Sequence, residues 1–202
     1  MGECAMVRLI PMLLFFAFVW ADEAQILYAS KVKSLYKEGE TKVVGRLLPT
    51  AKVEVMERKD GKVLLRIQGY APKEQRQALY FAPNRRILNA GFSKNAGLAF
   101  EVLQTINDNE SRSDWELASI ALWSEDTDLV AEVAPLYAEA NELFTSRCSI
   151  CHALHPAKEF NANQWGSVIK SMKSRVGFDS DTEQLVVQYL SKNAKDMPKV
   201  IR

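Results

Sequence analysis

Cys148-Ser149-Ile150-Cys151-His152 decides how the rest of this chain is read. The five residues spell C-x-x-C-H, the attachment signal for c-type haem. Two thiols three positions apart on one turn add to the two vinyl groups of the porphyrin. The adjacent histidine then presents its imidazole to the iron from one side. A bare C-x-x-C also suits a redox dithiol or half of a zinc site. Zinc needs two further ligands, and the one other cysteine, Cys4, falls in a segment expected to be removed. A thioredoxin-type dithiol wants a βαβ setting, and no such pattern flanks the motif.

On either side of the motif the period is helical. Pro135 is acceptable at a first helical position. From there Leu136, Tyr137, Ala140, Leu143 and Phe144 share one face, and the helix runs into Cys148. Beyond His152 the chain turns at Pro156. Asn161 or Asn163 then caps a second helix, in which Trp165, Val168, Ile169 and Met172 form one apolar stripe. Gly177 ends it. Ser180-Asp181-Thr182-Glu183 reads as a capping box for a third helix with Leu185, Val186, Tyr189 and Leu190 inward. The basic tail from Lys192 to Arg202 is expected to fray.

Counting side chains narrows the iron ligands. The chain has two histidines. His152 is the proximal ligand, and His155 follows too closely to reach over the haem. A thioether is the usual alternative on the other face. Of six methionines, Met1, Met6 and Met12 precede the expected cleavage point, and Met56 belongs to the N-terminal half. Met172 is preferred and Met197 is the alternative. An open sixth position is a third arrangement, and it would turn electron transfer into ligand binding.

The N-terminal half reads as strands. Ile26-Leu27-Tyr28 is a short one, followed by a lysine-rich connection to Gly45. Lys52 to Arg58 alternates, with Val53 and Val55 on one face and Glu54 and Met56 on the other. Asp60-Gly61 then signals a hairpin into Val63 to Ile67. Ala78–Phe81 and Arg86–Leu88 flank a turn at Pro83-Asn84. Leu98 to Ile106 fits a strand or a short helix. Trp115 to Trp123 is a longer strand with Trp115, Leu117, Ala121 and Trp123 on one side. Glu125 to Val133 reads as an acidic linker. Between Asp22 and Arg147 there is no histidine or cysteine, so this half offers no catalytic constellation.

The chain has 202 residues, 48% hydrophobic and 25% charged, with a formal net charge of +1. That balance gives no reason to expect nucleic acid as a partner. Arg8, the uncharged run Leu9 to Trp20, and Val19-Trp20-Ala21 before Asp22-Glu23 read as a secretory signal peptide cleaved after Ala21. Export places the motif in the periplasm, outside the bacterial inner membrane, where covalent haem attachment takes place.

The C-terminal stretch resembles a class I cytochrome c domain. Leu143-Phe144 precedes the motif, a methionine follows, and the last helix carries Tyr189-Leu190. The resemblance implies that the first and last helices cross with Phe144 and Tyr189 at the crossing, and it favours Met172. A closer resemblance covers most of the chain after residue 21. The strand-rich half, Leu143 to Leu154, Asn163-Gln164-Trp165 and Ser171-Met172 are similar to the C-terminal region of TorC-type cytochromes. That resemblance implies an electron donor to periplasmic molybdenum reductases of trimethylamine N-oxide and related S- and N-oxides. With one C-x-x-C-H in the sequence, it also implies a membrane quinol dehydrogenase or a multihaem cytochrome upstream.

These readings add up to an α+β chain. A signal peptide at 1–21 precedes a small all-β domain at 22–125, an SH3-like barrel or sandwich. An all-α cytochrome c domain follows at 126–202. The expected function is a periplasmic monohaem electron carrier of anaerobic respiration, not an enzyme. One haem c is held by Cys148 and Cys151, with His152 and Met172 as axial ligands, and the β half holds the partner reductase. The rival from another class is a haem-based sensor with a displaceable sixth ligand.

Overall fold

Asp60 and Gly61 both take positive φ, 51° and 75°, as a two-residue hairpin turn of matching twist demands. They join β4 (Lys52–Lys59) to β5 (Lys62–Pro72), with Val53 opposite Ile67 and Val55 opposite Leu65. The computed structural model describes residues 24–73, 75–108 and 113–197. The expected signal peptide lies outside them.

The other long strand, β9 (Ser113–Glu125), runs antiparallel to all of β5, from Lys62 opposite Glu125 to Pro72 opposite Trp115. Alternation buries Val63, Leu65, Ile67 and Ala71 from β5 and Ala118, Ile120 and Leu122 from β9. The even-numbered face of β9 therefore points inward, and the side that groups Trp115, Leu117, Ala121 and Trp123 is the outer one. Trp115 is covered on the outside instead. Its Nε1 donates to Asn84 Oδ1 at 3.1 Å, and its ring meets Tyr80 edge-on.

Around this pair lie β1 (Gln25–Ala29), β2 (Lys33–Tyr36), β3 (Val43–Leu47), β6 (Ala78–Ala82), β7 (Arg85–Phe92), β8 (Glu101–Asp108) and β10 (Leu129–Val130). All are antiparallel in one sheet of order β10-β1-β4-β5-β6-β7-β3-β2-β9-β8, and the β5–β9 pairing closes the strands from β5 to β9 into a ring. Gly69 lets β6 cross β5 closely. A Cβ there would sit 2.9 Å from both Leu79 Cβ and Tyr80 O. The lysine-rich connection thus contains two strands, β2 and β3. Lys33, 5% exposed, donates from Nζ to the carbonyls of Glu125 and Thr127. Those bonds, with β10 paired to β1, fasten the stretch expected to be a linker.

Three helices follow: α1 (Ala134–Cys148), α2 (Ala162–Val176) and α3 (Ser180–Lys192). Pro135 stands in the first turn of α1. Gln164 Oε1 accepts the N–H of Asn161 at 2.9 Å at the start of α2, and Gly177 (φ 67°) ends it. Asp179 caps α3, its Oδ1 accepting the N–H of Thr182 at 2.7 Å, one residue earlier than the expected capping box.

The expected α+β architecture, a small all-β domain followed by an all-α cytochrome c domain, is not what forms. The chain is mostly β-sheet, with ten antiparallel strands and three short helices at the C-terminal end. The physical reason is the shortage of apolar surface in the helices. Each of α1 and α2 fully buries only three side chains, and a segment of this size rarely completes a core alone. Ile87 of β7 and Phe81 of β6 complete it, packing with Phe144, Trp165, Ile169, Val186 and Leu190. The tail does not fray at its start, because Lys192 and Ala194 are each 2% exposed. No helix among the described residues is long and apolar enough to cross a membrane.

Candidate functional site

The motif sits where α1 stops. Cys148 is its last helical residue, Ser149 N–H still donates to Thr145 O at 3.3 Å, and Cys151 follows in the turn. Cys148 is half-buried and Cys151 exposed. A helix C-terminus carries partial negative charge and disfavours a thiolate. Burial pushes the Cys148 thiol up as well. Redox dithiols need the opposite setting, a depressed pKa at a helix N-terminus or beside a cation. The geometry therefore disfavours thiol–disulfide chemistry at this pair.

His152 is exposed, and its Nδ1 lies 2.7 Å from the carbonyl oxygen of Ala153. With the proton on Nδ1 donated to that carbonyl, Nε2 keeps its lone pair for a metal. His155 is engaged elsewhere. Its Nδ1 lies 2.9 Å from Glu159 Oε1, and its ring stands between those of His152 (5.3 Å) and Phe160 (5.4 Å). Phe160 meets the fully buried Trp165 edge-on at 5.0 Å, and Trp165 Nε1 donates to Ala157 O at 2.9 Å. The loop after His152 is thus anchored on α2. Two thiols, an imidazole with a free nitrogen and an apolar floor fit a covalently bound haem.

The two methionines differ in setting. Met172 continues the Trp165–Ile169 stripe of α2 but is only half-buried and lies outside the packed cluster. Met197 packs against that cluster, which Cys148 and Leu154 also touch. The structure therefore brings Cys148 and Met197 to one apolar cluster and leaves Met172 at its margin. The first and last helices pack together, with Phe144 in the apolar cluster that Tyr189 packs against, and each ring also has a partner of its own. Phe144 meets Trp165 at 6.0 Å, Tyr189 meets Tyr137 at 5.9 Å, and Tyr189 Oη bonds Asn141 Oδ1 at 3.0 Å.

Sequence reasoning missed the seam that holds the site on the sheet. The β6–β7 turn enters the helices. Asn163 Oδ1 accepts the N–H of Arg86 at 2.6 Å, and Asn163 Nδ2 donates to Asn84 O at 3.1 Å. Arg85 pairs with Asp196 at 3.0 Å. The signal available in sequence was weak, since Asn163 reads as a helix cap and Arg85 as a surface charge.

Comparison with known sequences bears on both halves. The sequence family described as the TorC third cytochrome c domain matches residues 21–129, the strand-rich part rather than the motif. The cytochrome c-type protein TorC of Escherichia coli K12 is 26% identical over 177 residues, 87% of this chain and 45% of the relative. The cytochrome c-type protein TorY of Haemophilus influenzae is 28% identical over 179 residues, 89% of this chain and 48% of the relative. The chain spans about half the length of these curated relatives. No solved structure matches it.

Proposed function

Because the chain belongs to the TorC/TorY family of cytochrome c-type proteins, we propose that it is a periplasmic monohaem carrier of single electrons. Cys148 and Cys151 would hold one haem c covalently, and His152 would ligate its iron. When bound, the haem supplies a one-electron ferric–ferrous couple. The chain's own residues do the rest. The Ala153 carbonyl fixes the His152 ring, Trp165 and Phe160 fix the loop, and the end of α1 sets the two thiols. The observation that carries the reading is this Cys148–Cys151–His152 geometry beside an apolar cluster.

Met172 is the proposed second axial ligand, with Met197 as the alternative. Met172 supports the assignment because it is half-buried on α2, next along the Trp165–Ile169 stripe and at the margin of the cluster that Cys148 touches. The same half-exposure favours the second reading, a haem sensor whose sixth ligand is displaced by a gas. Carbon monoxide separates the two, because rapid binding to the reduced protein supports the sensor and resistance to it supports the carrier.

The proposed acceptor is a periplasmic molybdenum oxidoreductase of trimethylamine N-oxide or a related S- or N-oxide. The proposed donor is a membrane quinol dehydrogenase or a multihaem cytochrome. Residues 22–125 would face the reductase and residues 126–202 would carry the haem. Mixing reduced protein with such a reductase and its oxide tests this. Haem reoxidation is expected, and its absence with every S- and N-oxide would sink the assignment of the acceptor.

A further inference from the structure

Where α3 lies on the sheet, one buried cluster is polar. Gln188 and Lys192, one helical turn apart, are 3% and 2% exposed. Lys192 Nζ donates to Thr50 O at 3.0 Å and to Thr50 Oγ1 at 2.8 Å, and it stands 4.6 Å from the centre of the Phe81 ring. Thr50 has φ 62°, a left-handed value rare for a β-branched residue. Gln188 Nε2 donates to Leu88 O at 2.8 Å, and Asn89 Nδ2 donates to Gln68 O at 3.4 Å. The amide oxygens Gln188 Oε1 and Asn89 Oδ1 are buried without a donor. No carboxylate of the described residues pairs with Lys192. The charged groups elsewhere on this seam, Arg85 and Asp196, pair with each other.

An amine without a counter-charge, an N–H left over after the two Thr50 bonds, and two unused acceptors make a site that can hold a proton or give it up. We propose that Lys192 is a redox-linked proton site, binding a proton from solvent when the haem iron goes from ferric to ferrous and releasing it on reoxidation. This rests on the proposed haem at Cys148–His152. One electron enters at the iron, one proton adds to the amine lone pair, and no other bond changes. Phe81, beneath the ammonium, packs against the same apolar cluster that Cys148 touches. Charge is screened less through such packing than through water. Ferric haem carries one more positive charge than ferrous haem and so disfavours the ammonium. Asn89 Oδ1 and Gln188 Oε1 offer acceptors to the protonated form, directly or through one bound water. Burial lowers the Lys192 pKa to about 7, which puts the exchange near neutrality.

The test is the reduction potential of the haem-loaded full chain as a function of pH. The expected result is a potential that falls as pH rises through neutrality, with proton uptake on reduction seen by an indicator dye in weakly buffered solution. Lys192→Met should make the potential pH-independent there, with an unchanged haem spectrum. Gln188→Leu, which removes an acceptor and keeps the amine, should shift the sloping region to lower pH. A flat potential in the natural protein, or the same slope in Lys192→Met, would overturn the proposal. The first of these needs no variant that folds. Absence of covalent haem is a separate result, seen in the spectrum of the denatured protein, and it strikes the haem reading instead.

Discussion

Asp196 Oδ2 stands 3.0 Å from Arg85 Nε across the seam between the helices and the β6–β7 turn. The other carboxylate oxygen accepts the N–H of Ala162, at the first turn of α2, at 2.8 Å. One side chain thus joins the segment after α3, the start of α2 and the sheet. Both partners of the ion pair are mostly covered, so the bond is less screened than a surface pair. Asp196→Ala takes the carboxylate from Arg85, which keeps its bond to the backbone carbonyl of residue 196, and leaves the Ala162 N–H without its acceptor. The expected cost is about 1–3 kcal/mol, read as a lower urea midpoint with an unchanged slope.

Trp165→Ala should cost about 3–5 kcal/mol. The ring is fully buried between Phe144 and Phe160, and its N–H is the donor to the Ala157 carbonyl. Trp165→Phe keeps most of the apolar area but orphans that carbonyl, with an expected loss of about 1–3 kcal/mol. Thermal melts of the two variants give the order. Equal stability of both with the natural protein would mean that the loop after His152 is not anchored on α2.

Stability should rise with pH from about 7 to about 10.5, because of Lys192. Its pKa is about 7 when folded against 10.5 for an ordinary lysine, lowered by burial. Between those values the unfolded chain binds more protons than the folded one, so raising pH favours folding. The contribution is complete above the unfolded pKa and is lost as pH falls through the folded one. Denaturant titrations at several pH values should show this rise, and Lys192→Met should flatten it.

Replacing the two methionines separately assigns the sixth ligand. Met172→Ala should remove the weak long-wavelength band of an iron–thioether bond and leave an iron that binds carbon monoxide. Met197→Ala should keep the band and lose about 2–4 kcal/mol of stability through a cavity beside the core. The opposite pattern would move the ligand to the segment after α3.

Much of the secondary structure was legible in local chemistry. Asp60-Gly61 marked its hairpin, and Gly177 marked its helix end, because each signal depends on the backbone of one or two residues. What failed depended on partners distant in sequence. Lys33 lay in a lysine-rich connection and Lys192 began a tail expected to fray, yet each is buried, donating to backbone oxygens 92 or more residues away. The strands β2 and β3 were hidden in a lysine-rich stretch for the same reason. The partners of Trp115, Asn84 and Tyr80, belong to the β6–β7 hairpin and could not be read from β9 alone. At the site, the C-x-x-C-H pattern was legible as a local sequence signal. The ring partners of Phe144 and Tyr189 and the anchoring by Arg85, Asn163 and Asp196 required the fold.

The central claim is that Cys148 and Cys151 hold one haem. The most direct measurement is the mass of the protein after export from a host that matures c-type cytochromes, taken under denaturing conditions. The account predicts an increase by the mass of one haem, abolished in Cys148→Ala with Cys151→Ala. A chain of unmodified mass, with a normal fold and with other c-type cytochromes matured in the same cells, would contradict it.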